Sequence, residues 1–500
     1  MFVNVNLHAL SYFWFFALNV ETIVVCLHLL IATLAGGHAL LYKKDQRAAL
    51  GWLSVCVLFP LAGSALYYTF GINRVRNRAH GLTGKKFWRL VVPLERGEGK
   101  VRNKRSTALR EPNFPNPLPT GISQIINISD AITDQNLLSG NHVTILENGD
   151  QAYPEMLDAI HSAQSSILLM SYILRRDSAG KRFIEAMKQA AARGVDVYVV
   201  IDGIGDFYGW PRASKAFGNS EVNVARFIPP RIIPPSFLIN LRNHRKLMVV
   251  DGNLAFTGGM NIDKEHCIGD KPSSTGIRDL HFAVQGPVVA DMTKHFCETW
   301  QFITHEPLQI HSTPTVVGDS ACRLIIDGPD DNMDKLHLIL VGAISAAQRS
   351  IDIMTPYFIP SREMISALAA AALRGIEIRI ILPEKSNLRF VDWATRNMIW
   401  ELLQWDVQIY YQPVPFTHTK LFVVDEEYAV IGSANIDPRS LRLNFELCLE
   451  VFDRDFSELL KRYCDVSVSL SRSLSQAEVE NRALPVRARD AICWLFSPYL

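Results

Sequence analysis

The sequence predicts an α/β protein built from two copies of one folding unit, preceded by a two-helix membrane hairpin. Three observations carry that expectation. A short polar motif occurs twice, an order of strand, helix, glycine and strand recurs with it, and two long apolar runs lie near the N-terminus.

In the motif, His244-Arg-Lys246 is followed by Asp251, by Gly258-Gly259 and by Asn261. Likewise, His418-Thr-Lys420 is followed by Asp425, by Gly432 and by Asn435. In both places Asp stands seven residues after His, and Asn seventeen. At ordinary residue frequencies a second copy has chance odds on the order of 10⁻⁴, so the repeat reads as a duplication.

The surroundings repeat as well. Residues 166–172 read as a buried strand, 181–193 as a helix stopped by Gly194, and 195–201 as a second strand. Residues 350–357, 364–374, Gly375 and 376–382 restate that order. The two glycines are 181 residues apart and the two motif histidines 174, so loop lengths differ slightly. Alternating strands and helices predict helices covering mixed or mostly parallel sheets. Two copies in one chain predict a pseudo-two-fold axis on which equivalent motifs can meet.

At the N-terminus, residues 22–42 and 48–70 contain no Asp, Glu, Lys or Arg over 21 and 23 positions. Each meets the roughly 20-residue requirement for a bilayer-crossing helix. Tyr12, Trp14, Tyr67 and Tyr68 suit an interfacial aromatic belt, and Pro60 is expected to kink the second span. Lys43, Lys44 and Arg47 lie between the runs, and a longer basic stretch from Arg74 to Arg110 follows them. The more basic flank is expected on the cytoplasmic side, taking the large C-terminal part with it, and it also suits anionic head groups. Pro112, Pro115, Pro117 and Pro119 close this stretch. The expected organisation is an anchor over 1–72, a basic, proline-rich linker over 73–138, and two halves over 139–320 and 321–500.

Composition narrows the function. Five hundred residues exceed one ordinary core. With 20% charged and 48% apolar residues, the chain is neither disordered nor a polytopic transporter. A net charge of +1 argues against a general nucleic-acid binder. The eight cysteines include no C-x-x-C pair, so neither a disulfide framework nor a zinc site is expected.

Residues 244–250 and 418–424 read as strands, which would put His and Lys, two positions apart, on one face. Two converging copies present two imidazoles, two ammoniums and the amides of Asn261 and Asn435. A tetrahedral phosphoryl group fits that set. Lysines and amides neutralise its equatorial oxygens, while one unprotonated His attacks phosphorus and the other, protonated, releases the alkoxide. An imidazole value of about 6.5 makes both states accessible at neutral pH. No metal or other cofactor is expected, because Lys beside His disfavours a cation and no ligand cluster is evident. Asp279 and Glu446 align as counterparts downstream of the motifs. They suit carboxylates that fix an imidazole tautomer, or else salt bridges at strand ends.

The doubled His-x-Lys-x₄-Asp with its Gly and Asn resembles the phospholipase D superfamily. Further stretches narrow the resemblance to its bacterial cardiolipin synthases. They are Tyr172-Ile173 with Asp177 and Gly180, Asn243 to Lys246, Phe256 to Asn261, Thr355 to Pro360, Gly432 to Ser440, and Asn444-Phe-Glu446. Trp52, Pro60-Leu61, Gly63, Tyr67-Tyr68 and Phe70-Gly71 extend it into the N-terminal runs.

That resemblance implies phospholipase D-like α/β/α halves forming one pseudo-two-fold catalytic unit in a bacterial inner membrane. It implies ping-pong transfer between two phosphatidylglycerols through a phosphohistidine, in contact with anionic lipids. His244 and His418 would be nucleophile and acid/base, in an order left open, and Lys246 and Lys420 would bind phosphate. Asp251 and Asp425 belong to the catalytic signature but would brace the fold. Asp279 would act on His418 and Glu446 on His244, across the dyad. Hydrolysis of membrane phospholipids by the same pocket is the alternative outcome. Oligomeric state stays open, because duplication already supplies both halves of the site.

Overall fold

The computed structural model describes residues 7–43, 46–71, 119–230, 241–269, 275–329 and 332–497. The basic stretch, Pro112 to Pro117, Lys44, and the side chains of Tyr12, Trp14 and Arg47 lie outside the described residues. The chain divides into two compact units, Met1–Arg78 and Ala79–Leu500.

In the first unit a helix runs over Leu7–Tyr42. Its portion Thr22–Tyr42, with mean hydropathy 2.0, is long and apolar enough to cross a membrane. The second expected span is not one helix. It is divided into Gln46–Leu58, Pro60–Leu66 and a π-helical turn at Tyr67–Gly71. Pro60 has no N–H to continue the ladder, and Phe59 before it is pushed out of the helical region. Among the described residues, one helix therefore has the length and apolarity for crossing, rather than two. The pieces still pack on each other. Ala39, Cys56 and Tyr67 are buried together, His38 Nδ1 lies 2.8 Å from the Tyr67 hydroxyl, and a Cβ at Gly63 would collide with the Val55 carbonyl.

The second unit is organised on its strands. The first eight are β1 (Leu138–Glu147), β2 (Ser166–Ser171), β3 (Asp196–Asp202), β4 (Asn223–Phe227), β5 (Leu247–Val250), β6 (Leu254–Gly258), β7 (Ile277–Arg278) and β8 (Leu280–Gln285). Then come β9 (Ser320–Asp327), β10 (Ser350–Met354), β11 (Glu377–Pro383), β12 (Gln408–Gln412), β13 (Phe416–Thr417), β14 (Leu421–Val424), β15 (Tyr428–Gly432), β16 (Glu446–Phe452) and β17 (Arg472–Ser473). Fifteen form one sheet, ordered β17-β12-β11-β10-β14-β15-β16-β9-β1-β8-β6-β5-β2-β3-β4, while β7 pairs with β13 apart from it. The order mirrors itself about the β9–β1 contact, with only β17 left over. The outer strands β2-β3-β4 and β10-β11-β12 pair in parallel and the inner ones antiparallel, so the sheet is mixed.

Local chemistry explains the recurring elements, whose ends shift from expectation by one to three residues. Helix Ser178–Ala192 is capped by the Asp177 carboxylate, which accepts from the Ala179 and Gly180 amides. It stops at Gly194, whose φ of +91° suits glycine. Helix Arg362–Leu373 is capped by Ser361 and stops at Gly375, at φ +85°. Phe183, Met187 and Ala190 are buried with Ile167 and Val199 on one side of the sheet, and Met364 and Leu368 with Ile353 and Ile380 in the other cluster.

Two sequence expectations change. The linker expected to reach residue 138 ends earlier, because Thr120–Ile132 is a helix. Its Ile122 and Ile125, three positions apart on one face, are buried with Leu336 and Ile339 of helix Lys335–Ala346. Ser129 also donates from its Oγ to the buried Glu450 at 2.7 Å. In the motifs, the regular strands begin only at Leu247 and Leu421, so each His and Lys stands just ahead of its strand.

Candidate active site

Each motif strand turns into a hairpin, β5 into β6 and β14 into β15, and the signature Asp sits in the turn. Asp251 and Asp425 take left-handed φ values of +52° and +56°. The Asp251 carboxylate accepts from the amides of Gln164, Ser165 and Ser166 at 2.9, 2.7 and 2.9 Å. Asp425 repeats this with Gln348, Arg349 and Ser350 at 2.8, 2.6 and 3.0 Å. Burial opposes the Asp251 charge, but the three amides and the Ser165 hydroxyl hold its carboxyl below the usual range. Both carboxylates thus tie a hairpin to the neighbouring strand. About 13 Å of strand separates each from its Lys end.

The other end of each strand enters a pocket assembled from both copies. The His244 amide donates to Phe445 O at 3.0 Å, and the Phe445 amide to Arg242 O at 2.8 Å. The His418 amide donates to Arg278 O at 2.7 Å, next to the β7–β13 pairing. Phe445 immediately precedes Glu446, and Arg278 precedes Asp279. Each His is therefore laced to the stretch of the opposite copy that bears a carboxylate. His244 Nδ1 lies 3.0 Å from Glu446 Oε2, and His418 Nδ1 lies 2.8 Å from Asp279 Oδ2. With Nδ1–H donating to a carboxylate, Nε2 is left as the nucleophilic nitrogen.

Lys246 Nζ donates to His244 O at 2.5 Å, and Lys420 Nζ to His418 O at 2.5 Å. Lys420 Nζ also stands 3.1 Å from both ring nitrogens of His418. Tyr172 and Tyr357 are the flanking aromatics, with ring centroids 5.3 Å from His244 and 6.4 Å from His418. The Asn261 side chain accepts the Ile173 amide at 3.2 Å, which leaves its NH₂ group free of that bond. Asn435 donates to Ser440 Oγ at 3.2 Å. These asparagines stand in the turns beside the motif strands, engaged with local groups.

The charge state differs from the sequence expectation. Burial lowers the His244 imidazolium, with Lys246 and Lys420 adding to the effect and Glu446 opposing it. Burial lowers His418 further, helped by Lys420, Lys246 and His244. Both rings therefore favour the neutral form near pH 7. Burial also pushes Lys246 down to about 7 and Lys420 down to about 8. The two motifs depress each other's cations because they share one desolvated space.

Three functional-looking residues carry no role in the sequence reading, and one of them, His266, does not enter it. His266 and His281 are buried beside Asp279, and burial pushes them down to about 3 and about 4. The His266 ring centroid is 6.3 Å from that of His418. Repeat alignment pairs His266 with Ser440 and His281 with Cys448, so duplication carried no signal for them. Ser433, the counterpart of Gly259, donates from its Oγ to Glu446 Oε2 at 2.5 Å.

This geometry meets the comparisons with known proteins. The family model described as cardiolipin synthase, PLD-like domain, matches residues 156–300 and 340–466. The chain is 30% identical to the major cardiolipin synthase ClsA of Bacillus subtilis (strain 168), over 92% of this chain and 95% of that protein. It is also 30% identical to cardiolipin synthase A of Pseudomonas aeruginosa (strain LESB58), over 84% of each. Among solved structures, the phosphatidylserine synthase of Haemophilus influenzae Rd KW20 superposes with a TM-score of 0.56 at 14% identity. That match covers 75% of this chain and 100% of the other, and it shows a shared fold. A crossed two-histidine pocket on a phospholipase D-like sheet, matched along most of its length, places the chain in the cardiolipin synthase family.

Proposed function

We propose that this pocket transfers a phosphatidyl group from one phosphatidylglycerol to another, forming cardiolipin and releasing glycerol through a phosphohistidine. The observation that carries this reading is the crossed pairing of His244 with Glu446 and His418 with Asp279, which makes one two-histidine site from two copies. In the first step Nε2 of one neutral imidazole attacks phosphorus, and the P–O bond to the glycerol head group breaks. The other His, protonated, passes its proton to the leaving oxygen. The anionic phosphodiester raises both imidazoles from their depressed values, so one can hold that proton at neutral pH. In the second step that same His takes the proton of the second lipid's head-group hydroxyl. The freed oxygen attacks phosphorus as the P–N bond breaks. One phosphodiester replaces another, so no nucleotide is consumed.

Lys246 and Lys420 grip the phosphate oxygens, Asn261 and Asn435 support them, and Asp251 and Asp425 brace the hairpins. The halves 139–320 and 321–500 act as duplicated phospholipase D-like units about a pseudo-two-fold axis, a reading the mirrored strand order supports. Residues 1–72 anchor the chain as two spans, the second kinked at Pro60. The packing of Cys56 and Tyr67 on Ala39 supports this hairpin. The catalytic body stands on the cytoplasmic side of a bacterial inner membrane, supported by the basic residues after the second run.

The test incubates the purified full chain with liposomes of phosphatidylglycerol alone. Cardiolipin and glycerol should appear in equal amounts, with an acid-labile phosphatidyl label on the protein. Phosphatidic acid as sole lipid product would overturn transfer in favour of hydrolysis.

A further inference from the structure

Two loops occupy matching places in the mirrored sheet, one after β3 and the other after β11. The first exposes Phe207, Tyr208 and Trp210, with Trp210 87% exposed. The second exposes Leu388 and, in the first turn of helix Arg389–Met398 that follows it, Phe390, which is 62% exposed. Large apolar side chains grouped on a surface mark a contact site, whereas scattered ones carry no meaning.

The first loop is held in this shape from beneath. The buried Asp206 carboxylate accepts the Ser214 amide at 3.0 Å and the Ser214 hydroxyl at 2.5 Å. The Arg212 guanidinium lies over the Phe207 ring, 3.7 Å from its centroid.

Both loops reach the reacting histidines through one tyrosine each. The Tyr208 ring stands 6.1 Å from Tyr172, which packs on His244. In the second loop Asn387, next to Leu388, accepts the Tyr357 hydroxyl at 2.6 Å, and Tyr357 flanks His418. The exposed aromatics therefore border the mouth of a single pocket. Their exposed or half-exposed charged neighbours are mainly basic: Arg212, Lys215, Lys385 and Arg389, against Glu384 and an Asp392 paired with Arg396. Trp, Tyr and Phe flanked by Arg and Lys form the composition that settles at a bilayer interface.

We propose that these loops form a membrane-contacting rim. Phe207, Tyr208, Trp210, Leu388 and Phe390 enter the head-group boundary of an anionic bilayer, and the basic residues meet its phosphates. A lipid head group then passes from the bilayer to the histidines while its acyl chains stay in the lipid. This rests on the reading of the pocket as a phosphatidylglycerol site.

The experiment compares the full chain with Trp210→Ser, Phe390→Ser and the double variant on two forms of phosphatidylglycerol. One is dispersed in mixed micelles at varied surface mole fraction; the other is short-chained and monodisperse. The double variant should raise the interfacial KM about tenfold, from the apolar area no longer buried, with turnover of the monodisperse lipid unchanged. In liposomes, brominated phosphatidylglycerol should quench the fluorescence difference between the wild-type chain and Trp210→Phe. Equal activity on both forms, or equal loss on both, would overturn the rim. So would conversion of a wild-type dimer to a monomer by Trp210→Ser, which would make a second copy the occupant. A wild-type chain that turns over neither form would instead refute the phosphatidylglycerol reading itself.

Discussion

His244 and His418 each lean on a carboxylate from the other copy, yet the two carboxylates are supported by different means. Glu446 receives the Ser433 hydroxyl at 2.5 Å and the Asn444 amide at 3.2 Å in addition to His244. Burial works against its charge, but His244, Lys246 and Ser433 hold its carboxyl below the usual range. Asp279, one methylene shorter, accepts the Leu280 amide at 2.8 Å and lies against Gly259. A Cβ at position 259 would stand 2.5 Å from its Oδ1. Burial raises Asp279, opposed chiefly by Lys420 and His266. The pair around Glu446 is thus built on a firmly charged acid. The pair around Asp279 depends on the Lys420 ammonium that shares its space. The contact between imidazole and carboxylate is the same at the two motifs, while the residues enforcing it differ.

The largest test of this comparison removes each ring. His244→Ala and His418→Ala should each lower cardiolipin formation by about a thousandfold or more, because the two act as one unit. A variant retaining a tenth of the activity would break the equivalence of the two copies.

The next test exchanges the supports. Gly259→Ala should cost on the order of a hundredfold in kcat, since its Cβ fits only if Asp279 leaves His418. Ser433→Ala removes one donor from Glu446 and should cost about tenfold. The reverse ranking would show that Glu446, and not Asp279, is the more finely positioned acid.

The third test uses pH. Catalysis needs one charged and one neutral imidazole, and both free imidazoles lie below 6.5. The value of kcat/KM should therefore be highest in mildly acidic solution and already decline near neutrality. It should fall more steeply as pH rises through about 7 to 8, where Lys246 and Lys420 lose their protons. Lys420→Arg stays charged and should move that alkaline limb upward while lowering the maximum. An unmoved limb would assign the decline to another group.

The smallest effect on activity is expected at the far end of the strand. Asp251→Asn should change kcat by less than about threefold, while lost amide contacts cost about 1–3 kcal/mol in denaturant unfolding. Because the folded value of Asp251 is depressed, its contribution is present above its unfolded value of about 3.9. It is lost as pH falls through the lower folded value, so the stability of the variant should depend less steeply on acid.

Much of this protein was legible before any folding was considered. Strand, helix, glycine and strand could be read around Gly194 and Gly375, because local chain geometry rewards a glycine that adopts a positive φ. The helix at 120–132 was hidden behind four prolines, although Ile122 and Ile125 already have helical spacing. His266 was hidden for a different reason. Its place in the other copy holds Ser440, and the argument from repetition sees only what both copies share.

The sequence by itself determined the set of candidate reacting groups and the motif that presents them twice, because residue identity and short spacings are covalent facts. Only the tertiary structure decided which acid meets which imidazole. His244 and Glu446 are 202 residues apart and His418 and Asp279 139, and no local rule spans such distances. The tertiary structure also decided that both rings rest neutral, since burial and shared cations, rather than the imidazole's own chemistry, set their charge.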